Sequence, residues 1–162
     1  MAFLRMIRYA EGTASNDGYQ IMFTSRRFSS FYDHPRQMNC SNFRGRRLCS
    51  TAAGAYQFLD TTWDLIARKI GATDFGPGWQ DRGATELIRR SGALSDIEAG
   101  NIEHAISRTA GIWASFPRWS GDMRGRYNQA VKPMPELVRV FNHYRQQAQA
   151  SQQALVARQP QR

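Results

Sequence analysis

The chain has 162 residues, with 22 lysines and arginines against 13 aspartates and glutamates, for a formal charge of +9. Its 41% hydrophobic and 22% charged residues exclude wholesale disorder. The length excludes a multidomain enzyme and also a small scaffold that needs disulfides to fold, since a domain of about 150 residues already buries roughly 68–70% of its unfolded surface.

The cationic charge is nearly all arginine, the only lysines being Lys69 and Lys132. Arginine's planar fork suits phosphate and carboxylate. The composition therefore predicts attraction to polyanions, whether nucleic acid, an anionic membrane surface or a wall polymer. Arg5 and Arg8 interrupt the apolar N-terminus, so no signal-peptide core is read there. No apolar stretch reaches membrane-spanning length. The expectation is a protein made in the cytosol without an export address.

Along the chain, Phe3, Leu4, Ile7 and Ala10 have helical spacing and predict a helix over 2–10, stopped at Gly12-Thr13. Residues 14–18 read as a turn-rich loop. Residues 19–32 read as β-like, with Ile21, Phe23, Phe28, Phe31 and Tyr32 split by Ser25-Arg26-Arg27. Residues 35–50 carry Pro35, Gly45 and both cysteines, and read as an exposed hairpin or loop. Helical period resumes at Tyr56, Leu59, Trp63, Ile66 and Ile70, with Gly71 just past the end. Gly76-Pro77-Gly78 reads as a break, followed by a helix over 79–91 with Trp79, Leu87 and Ile88 inward. A short helix over 94–99 is assigned Ser95 as its cap. Asn101 caps another that runs through Ile102, Ala105 and Ile106 toward Trp113 and ends before Pro117. Residues 118–132 read as irregular. Pro135 opens a last helix carrying Leu137, Val138, Phe141 and Tyr144. From Gln146 the Gln/Ala-rich chain is expected to fray. The order implies an α+β fold, mostly helical with strands near one end, with one domain over 1–145 and a polar tail over 146–162.

Cys40 and Cys49 lie nine positions apart. In a reducing cytosol they stay as thiols. In an oxidising space they would close a loop worth about 2.5–3 kcal/mol on the chain-entropy model. Neither has zinc-type spacing, and no metal or other cofactor is implied.

Among the acids, Glu11 ends an apolar helix. The negative end of the helix dipole and partial burial would both raise its pKa toward what a general acid needs. A solvated helix-end glutamate is the plainer reading. Asp33-His34-Pro35-Arg36 follows the apolar 28–32 stretch and places Asp33 as a candidate second carboxylate of the kind glycoside hydrolysis uses, although Asp before Pro35 equally makes a turn. Tyr56, Trp113, Trp119 and Tyr127 accompany Gln57, Asn128 and Gln129, and rings with amides suit sugar recognition. Tyr56 and Trp113 fall on apolar faces and default to core, which leaves Tyr127 the stronger binding candidate. His104 and His143 read as surface residues. Serine-hydrolase, zinc-protease and nucleotide-loop templates do not occur.

Several segments in the same order resemble the bacteriophage lambda endolysin family. They are Phe3 through Thr13 with Glu11-Gly12-Thr13, then Gly18-Tyr19, Phe28 and Asp33-His34-Pro35-Arg36. Next come Ser50-Thr51-Ala52-Ala53-Gly54-Ala55-Tyr56-Gln57 with Trp63-Asp64, the stretch 90–93, Ile112-Trp113-Ala114-Ser115-Phe116-Pro117, and Tyr127-Asn128-Gln129. The resemblance spans about residues 3–145. Asn128 stands where the family has glycine, residues 118–126 are longer and more basic, and residues 37–49 match poorly.

The resemblance implies a lysozyme-like fold, with a small β lobe and an intervening substrate cleft. It implies lytic transglycosylation of peptidoglycan, with Glu11 as the general acid. Ser50, Tyr56, Gln57, Tyr127 and Gln129 become candidates for binding glycan. Asp33, His34 and Arg36 take structural or cleft-edge roles, because the nucleophile belongs to the substrate. It further implies a monomer released through a holin, acting at the wall after membrane permeabilisation. Two other readings stand beside it. One is a hydrolytic lysozyme using Glu11 and Asp33. The other is a basic nucleic-acid-binding protein, which rests on charge alone and has no recognisable binding motif.

Overall fold

The computed structural model describes residues 1–43, 45–127 and 130–157. Its first helix, α1 (Ala2–Ala10), buries Phe3, Leu4, Met6, Ile7 and Ala10, the three-and-four spacing that lines one helical face. That face packs on the last helix, α6 (Met134–Ala157), where Phe3 meets Phe141 edge-on at 6.3 Å. Gly12, at φ +73°, takes the left-handed position that ends α1.

Residues 19–32 form no strand, contrary to the apolar pattern. The chain instead makes two short 3-10 turns, Asn16–Gln20 and Phe23–Ser25. Thr24 and Ser25 lie at φ +72° and +61° and fold the backbone on itself, so that Met22 N donates to Arg26 O at 2.6 Å. The apolar residues there serve as anchors, Met22 and Phe28 being buried. The ladder lies in the next segment: β1 (Asn39–Phe43) pairs antiparallel with β2 (Arg46–Ser50). Cys40 faces Cys49 in register, and the two are joined by a disulfide.

The helical period from Tyr56 is also misleading at its start. α2 (Asp60–Ile70) begins four residues later, because Gln57 adopts φ +48° and Ala53 and Phe58 exchange backbone hydrogen bonds around a tight loop. Gly71 closes α2 at φ +67°, as expected. Gly76-Pro77 starts a helix rather than breaking one: α3 (Pro77–Arg90) has proline in its first turn, where a missing N–H costs nothing. In α4 (Ala93–Glu98) the cap position is Gly92, and Ser95 donates back to Gly92 O. α5 (Ile102–Thr109) stops short of Trp113, and Asn101 occupies its cap position without a side-chain bond. α6 continues past Gln146 to Ala157, exposed along that stretch, as the helix propensity of Gln and Ala favours. Among the described residues no helix is long and apolar enough to cross a membrane.

An aromatic cluster packs around Phe75. Trp63 sits edge-on to Phe75 at 4.7 Å and to Phe58 at 5.3 Å, and His34 stacks edgewise on Phe75 at 4.9 Å. This cluster ties residues 28–34 to α2 and to the segment that leads into α3.

Candidate active site

Glu11 sits at the end of α1, partly buried. Ser115 Oγ donates to its Oε1 at 2.5 Å. Burial pushes the Glu11 carboxyl up to about 7, against the opposing pull of hydrogen bonds from the Ser115 hydroxyl and backbone N–H. A carboxyl titrating there can give and take a proton near neutrality.

The two residues after Glu11 fix where it lies. Thr13 is fully buried, and its Oγ1 donates to Ala55 O at 2.6 Å, clamping the end of α1 to the 50–58 segment. Arg8 donates to Thr13 O and Ser15 O and stacks over the Tyr19 ring. Gly18 is required here, since a Cβ would fall 1.8 Å from Thr13 O.

A buried polar knot supports the same segment. Gln80 accepts from Ala55 N at 2.8 Å and donates to Phe75 O and Tyr19 O at 2.7 and 3.0 Å. Its neighbour Asp81 accepts from the Tyr56 hydroxyl at 2.6 Å and the Tyr19 hydroxyl at 2.8 Å through Oδ1. Burial and the Asp81 hydrogen bond hold the Tyr56 phenol well above its ordinary pKa. Sequence reasoning assigned nothing to Gln80, Asp81 or to Ser115 individually. One signal was present for Gln80: positions 80, 84 and 88 form one buried helical stripe, and a polar residue in such a stripe needs internal partners.

The expected glycan-binding residues divide. Tyr56 borders the same cavity as Gln57 and Tyr127 but is only 2% exposed, its hydroxyl held by Asp81 and its carbonyl by Trp113 Nε1 at 3.1 Å, so it offers that cavity little surface. Ser50 Oγ accepts from Ala52 N at 3.0 Å and caps the end of β2. Gln57 and Tyr127 do meet: both line a cavity of about 230 Å³ together with Leu59, Ile112 and Trp113. Gln57 Nε2 is anchored on Ile21 O and Gly54 O. Tyr127 is 55% exposed, and its hydroxyl donates to Gly111 O at 2.7 Å. Gln129 and Asn128 lie outside the described residues.

Asp33, His34 and Arg36 form a brace. Asp33 accepts from His34 N and Arg36 Nε, and Arg36 reaches across to Asp64 at 2.7 Å. His34 is buried, with Nε2 2.9 Å from Phe58 O and Nδ1 accepting from Arg36 N. Those two bonds select the neutral tautomer protonated at Nε2, and burial lowers the His34 pKa in the same direction. Asp33 and Glu11 share no hydrogen-bond partner among the described residues.

A helical body with a small β hairpin, and a partly buried acid at the end of its first helix, defines a lysozyme-like protein. Two solved structures agree: bacteriophage lambda lysozyme, and the same enzyme complexed with a chitohexasaccharide. They superimpose with TM-scores of 0.75 and 0.78 at 33% and 36% identity, each covering 88% of this chain and 91% of its own. The family model described as Endolysin matches residues 1–148, and the chain belongs to the endolysin family. It is 43% identical to the endolysin of Escherichia phage P2 over 86% of this chain and 88% of that protein. It is 39% identical to the endolysin of Escherichia phage lambda over 72% of this chain and 75% of that one.

Proposed function

We propose that this endolysin cleaves the β-1,4 bond between N-acetylmuramic acid and N-acetylglucosamine in peptidoglycan by lytic transglycosylation. The observation that carries the reading is a single carboxyl, Glu11, whose burial lifts it to about 7, while Asp33 is committed to Arg36 and the His34 backbone. Protonated Glu11 gives its proton to the glycosidic oxygen as the bond to the muramic anomeric carbon breaks. The muramic C6 hydroxyl closes on that carbon, and the Glu11 carboxylate takes the hydroxyl proton. The acid is restored, no water is consumed, and the product carries a 1,6-anhydro ring. One carboxyl suffices because the nucleophile is part of the substrate.

The enzyme acts as a monomer on glycan strands of the wall, and reaches them from the host cytoplasm once a holin has opened the membrane. Mass spectrometry of muropeptides released from purified sacculi tests the chemistry. Anhydro products, lighter by one water than reducing-end products, are expected from the wild type and none from Glu11→Gln. Reducing-end products together with an inactive Asp33→Asn would establish hydrolysis with two carboxylates instead.

A further inference from the structure

We propose that Ser115 is a positioning residue for Glu11, fixing which carboxyl oxygen carries the catalytic proton and favouring the carboxylate formed when that proton leaves. The inference rests on the reading of Glu11 as the general acid and extends it to a residue 104 positions away.

The geometry begins with how Ser115 is held. The turn from Trp113 to Phe116 is closed by Phe116 N donating to Trp113 O at 3.0 Å. Trp113 is fastened to Tyr56 O through its indole N–H. Phe116 is fully buried and meets Phe3 of α1 edge-on at 6.3 Å. Lys132 N donates to Ser115 O at 2.9 Å from the other side. The serine is thus fixed to the same core as the helix that ends in Glu11, and its hydroxyl reaches the carboxyl without adjustment.

That hydroxyl donates to Oε1. In the acid form Oε1 is therefore the carbonyl-like oxygen, which leaves Oε2 to carry the proton that is given to the substrate. When the proton departs, the same hydrogen bond acts on a full carboxylate. Hydrogen bonds to charged acceptors are roughly twice as strong as neutral ones, so the interaction gains strength as the transition state is approached, the condition for accelerating a step.

Charged groups on the surrounding elements have other roles. Arg8 on α1 holds Thr13 and Ser15. Asp81 on α3 accepts two phenols. Lys132 and Glu136 pair with each other, and Arg126 rests against Gly111. Among the described residues none of these hydrogen-bonds Glu11, which is held by Ser115.

The experiment is the pH dependence of lysis of purified sacculi by wild type, Ser115→Ala, Ser115→Thr and Glu11→Gln. The alkaline limb of the wild-type profile reports Glu11 losing its proton. In Ser115→Ala the carboxylate loses the hydroxyl donor and keeps only the backbone N–H, so the limb moves upward by about one pH unit. The rate on the acid plateau falls about tenfold, and Ser115→Thr, which keeps the hydroxyl, restores both. A limb left at its wild-type position in Ser115→Ala overturns the inference, whatever happens to the rate, because a merely structural role would not move it. An active Glu11→Gln would instead sink the reading of the site itself. Should Ser115→Ala fail to fold, Ser115→Cys preserves the bulk with a weaker donor, and its limb must also move up.

Discussion

At Glu11, the same burial that makes an acid useful near neutrality makes its ionised form costly to the fold. The carboxyl is raised from an ordinary 4.5 to about 7. A group whose folded-state pKa is raised contributes its stability below the unfolded pKa and loses it as pH climbs to the folded one. The penalty therefore accumulates between 4.5 and about 7 and is complete above that, at about 3 kcal/mol. Glu11→Gln keeps an oxygen that can accept from Ser115 and cannot ionise. It should melt several degrees above wild type at about pH 8 and together with it at about pH 4. Equal melting temperatures at both pH values, by calorimetry, would mean that the site does not penalise the carboxylate. Functional demand and stability oppose each other at this residue.

At the scale of elements, the 50–58 segment and the hairpin before it make separate predictions. Gly54 sits at φ +79°, and a Cβ there would lie 2.3 Å from Gln80 Oε1 and 2.9 Å from Phe75. Gln80 is held by three hydrogen bonds and cannot give way. Gly54→Ala should cost about 2–4 kcal/mol in urea unfolding, from the left-handed backbone and the overlap together. A loss below about 0.5 kcal/mol, the level of an ordinary surface change, would show that the knot is loose. Reducing the Cys40–Cys49 bridge should lower stability by about 2.5 kcal/mol, because the chain then regains the freedom of a short loop. Unfolding midpoints with and without reductant measure it, and identical midpoints would show that the bridge constrains nothing. These same elements show what was legible in the sequence. α1 was readable because its apolar spacing coincides with its buried face. Residues 19–32 were not, since left-handed Thr24 and Ser25 turn a seemingly alternating pattern into tight turns, and no propensity for those residues announces it. The place of Glu11 at a helix end, where its carboxyl is raised, was readable from the apolar spacing before it. The hydroxyl that holds it was not, because the contact joins residues 104 apart and leaves no local trace.

For the molecule as a whole, the proposed function assigns the net charge of +9 to capture of an anionic wall rather than to the fold. Exposed ion pairs such as Arg27–Asp17 and Arg108–Asp96 each add only about 0.2–1 kcal/mol. Their acids offset local arginines and leave a cationic excess over the rest of the surface. An anionic wall attracts that excess over the Debye length, which shrinks from ~30 Å at about 0.01 M salt to ~3 Å at about 1 M. Inactive Glu11→Gln can be sedimented with purified sacculi across that range, and the bound fraction is expected to fall steadily as salt rises. Binding that ignores salt would assign attachment to uncharged surface such as the cavity lined by Gln57 and Tyr127. The wild-type enzyme supplies the complementary measurement. Charges remote from Glu11 act on encounter and retention, not on proton transfer, so added salt should raise KM while kcat at the acid plateau changes little. A fall in kcat at unchanged KM would place part of the charge in the chemistry, and Arg126, which lies against Gly111 at the edge of the cavity, would then be one to replace.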